Sequence, residues 1–303
     1  MAHGVFLSVL ASMLFGSMYY YSTLLSPLNG EEIFGWRMLL TLPMLSVFLW
    51  LSRDWPLVKA TALRVLHEPK LLWVLPLSSL LLGVQLWLFL WAPLHGKALD
   101  VSLGYFMMPL VMVAIGRFYY KDKLTRFQKA AWVLALAGVA YELFRVGSFS
   151  WASLLVCLGY PYYFVLRSKF KTDHLGGLWF DMLLMMPLAL FYASTALTQA
   201  VTFTDNTWLF MLVIGLGILS TSALVAYILA SKKLPFSLFG LLGYVEPVLL
   251  VVVAFLIGER ITPLQWPTYI AIWMALAVLA TEGLLNLNAG RKLRNKRTPA
   301  PIS

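Results

Sequence analysis

The sequence predicts an all-α membrane protein of ten transmembrane helices, arranged as two inverted five-helix repeats. Three observations carry this expectation. Of 303 residues, 61% are hydrophobic and only 12% are charged, with a mean hydropathy of +0.81, where a soluble domain is about 25% charged. The apolar residues run in continuous stretches that match the ~20 residues a bilayer-spanning helix needs. Lysine and arginine collect in alternate connecting segments. This composition excludes a water-soluble enzyme and a disordered chain. The unbroken apolar runs exclude a membrane β-barrel, whose strands alternate polar and apolar residues.

Ten spans are read in order: 4–25, 32–51, 71–93, 98–119, 127–144, 149–167, 175–197, 207–230, 236–257 and 264–287. The first follows Met1–His3, which carry no Lys or Arg, and no small-residue cleavage site comes after it, so it reads as an uncleaved span. Ser26-Pro27-Leu28-Asn29-Gly30 supplies the turn into the second. The one long linker, 52–70, mixes Trp55, Leu57, Val58, Ala62, Val65 and Leu66 with Arg53, Lys59, Arg64 and Lys70, the composition of a short helix lying on the membrane surface. Ser231-Lys232-Lys233-Leu234-Pro235 separates the eighth span from the ninth. Pro43, Pro76, Pro109, Pro161, Pro187 and Pro247 fall inside spans. Each removes a backbone bond and kinks its helix, so Pro109, Pro161 and Pro247 are candidate gating points. The basic tail, 289–303, has five basic residues and two prolines, and disorder near anionic lipid is expected there.

Orientation follows from charge. With the N-terminus in the cytoplasm, 19 basic residues fall on the cytoplasmic side, within 53–70, 117–129, 167–171, 232–233 and 291–297. Only three, Lys97, Arg145 and Arg260, fall outside, and Arg37 lies within the second span. The positive-inside rule then puts both termini in the cytoplasm. The net charge of +10 is spread over short loops, which argues against a nucleic-acid partner. The single cysteine, Cys157, permits no intrachain disulfide and reads as a buried thiol.

The fourth and ninth spans look alike. Leu103-Gly104-Tyr105-Phe106-Met107-Met108-Pro109-Leu110-Val111 parallels Leu242-Gly243-Tyr244-Val245-Glu246-Pro247-Val248-Leu249. Each runs on to a charged turn, Lys121-Asp122-Lys123 or Gly258-Glu259-Arg260, and then to a span ending near Glu142 or Glu282. The halves are therefore 1–145 and 148–288. With five spans per half, the second copy enters the membrane from the opposite face. Inverted repeats of this kind belong to secondary transporters, with the solute site near the midplane between the halves.

On these residues the chain resembles the drug/metabolite transporter superfamily, whose repeat is the EamA-type domain, and most of all the RarD-type (chloramphenicol-sensitive protein) permeases. The resemblance rests on Glu31-Glu32-Ile33 with Arg37, on Gln85 with Leu88-Phe89-Leu90-Trp91-Ala92, on Ser102-Leu103-Gly104-Tyr105-Phe106 followed by Pro109-Leu110-Val111, and on Gly258-Glu259-Arg260. It covers about residues 4–285. The chain departs from that pattern at Lys121-Asp122-Lys123, where Gly-Glu-Arg is usual, and at Met108 and Gln85, where Asn is common. The resemblance implies a bacterial inner-membrane protein that exports a small organic metabolite or drug. It also implies a cavity lined by the first four spans of each half, with the fifth spans set apart for packing or for a homodimer contact.

Charges inside a membrane cost several kcal/mol and are functional candidates by default. Glu246 lies in the middle of the ninth span, too deep to reach water, beside Pro247. A helix opened at midplane is tolerated where it lines a cavity. Glu246 is either a proton-coupling or substrate-gating group, or a protonated structural residue bonded to a neighbour. Arg37 either faces the cavity, where a substrate carboxylate is its natural partner, or snorkels outward beside Glu31 and Glu32. Asp100, Glu142, Asp181, Glu259 and Glu282 lie at or near span ends. Gln85 and Trp87 on the third span, Tyr105 on the fourth and Tyr244 on the ninth suit the wall of a small organic site, with Gln85 paired to Tyr105 across neighbouring spans. Ordinary packing or interfacial anchoring is the alternative for each, as it is for Trp91, Tyr160, Tyr162 and Tyr163.

The other functional class is a membrane-embedded enzyme acting on a lipid-like substrate. His3, His67, His95 and His174 show no metal-ligand spacing, the only adjacent carboxylates are Glu31 and Glu32 in a loop, and no phosphate-cradling glycine motif occurs. No cofactor or metal is expected. A channel would need a ring of like polar groups, and none is visible. The expected partners are a small-molecule solute and the lipid bilayer.

Overall fold

The computed structural model describes residues 2–94, 98–147, 150–198, 207–256 and 263–297. Lys97, the Gly258-Glu259-Arg260 turn and residues 298–303 of the tail lie outside them. The described residues form twelve α-helices: α1 (Ala2–Thr23), α2 (Gly30–Leu51), α3 (Trp55–His67), α4 (Leu71–Leu94), α5 (Ala98–Phe118), α6 (Arg126–Val146), α7 (Trp151–Lys169), α8 (Leu175–Thr198), α9 (Thr207–Lys233), α10 (Phe236–Leu242), α11 (Val245–Leu256) and α12 (Trp266–Arg297). A 3-10 turn, Pro263–Gln265, leads into the last.

Among the described residues, six helices are long and apolar enough to cross a membrane: α1, α2, α4, α8, α9 and α12. Leu103–Phe118 of α5 and Phe236–Leu249 are shorter apolar helices. The expected spans in α6 and α7 are less apolar because each carries ionised groups at its ends, Arg126, Lys129, Glu142 and Arg145 in one, Arg167 and Lys169 in the other.

Local chemistry sets the helix starts. Asn29 caps α2: its side-chain oxygen accepts from the Glu32 amide at 2.9 Å, and Glu32 Oε2 accepts from the Asn29 amide at 2.9 Å. Thr125 and Gln128 make the same reciprocal cap on α6. The linker helix expected in 52–70 is α3, with Pro56 in its first turn, where a missing N–H costs nothing. It is pinned to the protein: Arg64 donates to the carbonyls of Phe170 (3.0 Å) and Lys171 (3.1 Å) in the turn before α8.

Two expected boundaries need correction. The ninth span, 236–257, is two helices, broken at Gly243-Tyr244. Pro247 is the cause: its ring excludes the carbonyl four residues back, which is that of Gly243, and it has no N–H to give it. The Gly243 carbonyl instead accepts from the Glu246 amide at 3.3 Å in a tighter turn. Pro247 itself sits in the first turn of α11, where no N–H is needed. The tenth span runs past 287. Helix α12 continues to Arg297, because that stretch is rich in strong helix formers and meets no proline before Pro299.

Packing follows a regular pairing. Helices α2 and α8, α6 and α12, and α5 and α10 pack on one another. Helix α1 packs on α9 as α7 packs on α4, α1 on α11 as α7 on α5, and α2 on α9 as α8 on α4. The main core joins Phe34, Met38 and Leu45 of α2 to Phe164, Met182 and Phe239. A second core sits between α6 and α12, where Ala131, Ala135 and Gly138 let the two backbones approach.

Candidate functional site

A small cavity lies between helices of the two halves. It is lined by Phe15 and Met18 of α1, Arg37 of α2, Leu86 and Phe89 of α4, Tyr105 and Met108 of α5, Tyr160 of α7, Tyr227 of α9 and Glu246 of α11. None of its lining comes from α6 or α12. Its free volume is about 30 Å³, room for a water molecule or two but not for an organic solute. Its wall is aromatic: Tyr105 and Tyr160 have ring centroids 6.3 Å apart, Tyr160 and Tyr227 6.4 Å, and Phe15 and Tyr227 5.7 Å.

Arg37 is 3% exposed and does not snorkel to the surface. Its Nε donates to Ser220 Oγ of α9 at 3.0 Å. Thr41, one turn along α2, donates to the Arg37 carbonyl at 2.6 Å and lies 3.0 Å from Ser220 Oγ. Ser220 Oγ thus accepts from the guanidinium and lies within hydrogen-bond distance of the Thr41 hydroxyl. Arg37 Nη2 is buried and has no hydrogen-bond partner. A guanidinium has five N–H donors, and one is committed here. Glu246 is half-buried and stands on the same cavity at the helix break. The ion pairs among the described residues are Arg64–Glu68, Arg145–Glu142 and Arg167–Asp181. Arg37 and Glu246 share the cavity without forming one.

The other sequence-predicted site residues are distributed differently. Tyr105 lines the cavity. Gln85 does not pair with Tyr105. Its Nε2 donates to the Leu155 carbonyl of α7 at 2.8 Å, lying across Gly159, where a Cβ would come within 2.0 Å of that nitrogen. Gln85 and Pro161 border a separate, almost wholly apolar groove of about 980 Å³ between α4, α5 and α7. Trp87 is outside the cavity lining and stacks on Trp91 at 5.0 Å. Tyr244 is fully buried in the packing of α10 on α5, where its hydroxyl donates to the Phe106 carbonyl at 2.9 Å. Pro109 stays within continuous α5, and its carbonyl lies against Gly240. Three of these misplacements share a cause. Residue type and span place a side chain at a depth, while helix rotation decides which neighbour it meets.

Two carboxylates read as near span ends are in fact buried and bonded. Glu142 accepts from Thr268 of α12 at 2.8 Å and from Arg145. Asp181 is the centre of a larger cluster. Arg167 Nη1 donates to Asp181 Oδ2 at 3.0 Å and to the Tyr163 hydroxyl, Nε to the Thr172 carbonyl at 2.9 Å, and Nη2 to the carbonyls of Thr172 and His174, the latter at 2.7 Å. All five guanidinium N–H groups are used. Tyr163 donates to Asp181 Oδ2 at 3.0 Å, Ser78 donates to Oδ1, and Ser79 donates to the Asp181 carbonyl at 2.8 Å. Burial and the nearby Arg167 guanidinium hold the His174 imidazole, in the turn before α8, below its usual range. A signal for this cluster was present in the sequence. Asp181-Met182-Leu183-Leu184 stands six residues before Pro187 as Arg37-Met38-Leu39-Leu40 stands six before Pro43.

Residues 2–144 match the EamA-like transporter family. The chain is 40% identical to an uncharacterized transporter of Pasteurella multocida, over 95% of this chain and 98% of that protein. It is 42% identical to the chloramphenicol-sensitive protein RarD of Pseudomonas aeruginosa, over 90% of this chain and 92% of that one, and 26% identical to the protein RarD of Escherichia coli over 93% and 95%. A crystal structure of a protein that is 16% identical superposes with a TM-score of 0.64, covering 92% of this chain and 96% of the other, which shows a shared fold.

Proposed function

The chain belongs to the EamA-like transporter family, RarD-type, and on that premise we propose that it is a secondary transporter that exports a small organic metabolite or drug across the bacterial inner membrane. It works by alternating access around the cavity that Arg37 and Glu246 share. Residues 1–145 and 148–288 are the two inverted repeats, and both termini are cytoplasmic. The packing supports the repeats, since the main pairings α2 with α8, α6 with α12 and α5 with α10 map onto themselves when the halves are exchanged, and α1 on α9, α1 on α11 and α2 on α9 each have a counterpart. Residues 289–303 are a basic tail on the cytoplasmic side near anionic lipid, and Ala289–Arg297 of it continue the last helix.

The observation that carries the reading is one buried cation and one carboxyl facing the same small cavity without forming an ion pair. Burying charges this way is costly and is only partly offset within the fold, by the attraction between the two groups and the Ser220 contact. Such a cost is sustained where a ligand completes the interaction. Glu246 stands where the helix is broken, so a rotation of α11 against α10 changes what surrounds its carboxyl. A carboxyl that meets the Arg37 charge in one state and not the other takes up a proton with different affinity in the two. That difference is the energy available for coupling. Tyr105 and the other rings supply the apolar wall. Pro109, Pro161 and Pro247 are the points about which helices move to enlarge a volume now too small for a solute.

The test is transport in proteoliposomes under an imposed pH gradient. Glu246→Gln keeps shape and hydrogen bonding and removes titration. The variant is expected to fold and to exchange solute across the bilayer, with accumulation no longer responding to the gradient. Gradient-driven accumulation equal to wild type would return Glu246 to a structural role.

A further inference from the structure

The groove between α4, α5 and α7 is separate from the central cavity. It runs from Trp151 at the start of α7 to Tyr119 just past the end of α5. Leu80, Leu154, Leu158 and Tyr162 are exposed along it, and an exposed apolar rim on membrane helices is a rim turned to lipid. Its volume of about 980 Å³ stands at the upper end of the ~300–1,000 Å³ of small-molecule sites, where the central cavity has about 30 Å³. The two lie back to back. Gln85 lines the groove and its neighbour Leu86 the cavity, while Gly159 and Pro161 line the groove on either side of Tyr160, which lines the cavity. None of the residues that line the groove is charged.

One amide is set into this apolar wall. Gln85 is 1% exposed. Its Nε2 is committed to the Leu155 carbonyl at 2.8 Å, and that contact fixes which end of the amide is the oxygen, because a carbonyl needs a donor. Oε1 is buried and has no hydrogen-bond partner. The amide lies over Gly159, where a Cβ would come 2.9 Å from its Cδ and 3.6 Å from Oε1. The bare glycine is what lets the amide lie flat against the groove. Gln85 is near the middle of α4 (Leu71–Leu94), a depth at which no water supplies the missing donor. Lipid headgroups sit at the bilayer surface, and an acyl chain has no donor to give. A ligand with a formal charge would meet no counter-charge on this wall.

We propose that the groove is a binding site open to the bilayer for an uncharged amphiphile, a molecule with an apolar body and one hydroxyl or N–H donor. Gln85 Oε1 accepts from the donor, and Val84, Val111, Ile115 and Leu158 hold the body. The site fills from lipid and not from water, because its open side is apolar. It shares no lining residue with the cavity of Arg37 and Glu246, so it goes beyond the transport reading and does not depend on proton coupling.

The experiment uses the full-length protein in lipid nanodiscs and three brominated probes of matched body: 3-(4-bromophenyl)propan-1-ol, its methyl ether, and 3-(4-bromophenyl)propan-1-amine. Bromine quenches tryptophan fluorescence on contact, and the quenching that disappears in Trp151→Phe is the groove's share. Half-saturation is read as mole fraction in the bilayer, so that partitioning cancels. The alcohol is expected to half-saturate at about one-fifth of the mole fraction of the ether or less, the scale of one hydrogen bond between neutral groups. The amine, an ammonium at neutral pH, should give no saturable quenching of Trp151. In Gln85→Leu the alcohol should lose its advantage and bind like the ether. Leu158→Phe narrows the groove at an exposed position and should weaken both, which tests the site even where Gln85→Leu does not fold. Equal binding of alcohol and ether to the wild type would show a surface that holds only lipid chains and would overturn the assignment. So would an alcohol preference kept in Gln85→Leu, alcohol binding unchanged in Leu158→Phe, or alcohol quenching that Trp151→Phe leaves intact. Loss of pH-driven transport in Glu246→Gln has no bearing on these outcomes, so the two readings fail separately.

Discussion

Two buried arginines in this chain have opposite surroundings. Arg167 is 1% exposed and Arg37 is 3% exposed, so both have left water almost completely. Arg167 spends all five donors inside the protein, on Asp181, Tyr163 and the carbonyls of Thr172 and His174. Arg37 spends one, on Ser220. The carboxylates differ in the same way. Asp181 is 0% exposed and receives Arg167, Tyr163 and Ser78, while Glu246 faces a cavity with no ion-pair partner. Burial alone therefore does not mark a functional charge. What separates the two arginines is whether their hydrogen-bonding capacity is used up within the fold. The pairing is closer than residue type suggests, because Arg37 and Asp181 occupy matching positions, each six residues before a proline, on helices that pack against one another.

The largest effect should come from breaking the saturated side. Asp181→Ala leaves Arg167 buried without its counter-charge and should cost about 3–5 kcal/mol, seen as a large fall in melting temperature or loss of monodisperse protein. Combined with Arg167→Met it should cost less than the sum of the two single changes. Arg37→Gln probes the unsaturated side. Solute uptake should drop about a hundredfold, the scale of a lost charge-assisted bond of ~1.5–3 kcal/mol, while melting temperature holds or rises because an unpaired buried charge is gone. If Arg37→Gln instead unfolds the protein, the contrast between the two arginines fails.

Gly35→Ala acts on the helix pair that carries both positions. Its Cβ would lie 2.6 Å from the Ala193 amide nitrogen and 2.9 Å from the Ala189 carbonyl, and backbone cannot step aside as a side chain can. Prying α2 from α8 should cost about 1–3 kcal/mol in melting experiments and lower uptake along with stability. Thr268→Val, far from the cavity on α12, removes only a donor to Glu142. About 1 kcal/mol of stability should go with uptake unchanged, which sets the baseline for a satisfied polar contact.

The sequence by itself determined the class of the protein, its approximate helix ends and the two charged residues that line the cavity. Composition settles the solvent, since a chain with 12% charge cannot be water-soluble. Capping residues such as Asn29 and Thr125 settle where helices begin. Depth alone singles out Arg37 and Glu246, because an ionised group in an apolar run is expensive wherever the helix turns. The likeness of the Leu-Gly-Tyr segments pointed to α5 and α10, which pack on one another. What only the tertiary structure decided is which way each helix faces. The sequence fixes a residue's height along a helix to within a turn, whereas its partner depends on a rotation set by packing against other helices. Gln85 met the Leu155 carbonyl and not Tyr105, Tyr244 met Phe106 and not the cavity, and Asp181 met Arg167. Tyr227 and Ser220, on a helix whose sequence reads as plain apolar span, became cavity wall and arginine support. A hydroxyl costs little to carry into a membrane when it can bond its own helix, so it leaves no signal in the sequence. Its role appears only when another helix brings it a charge.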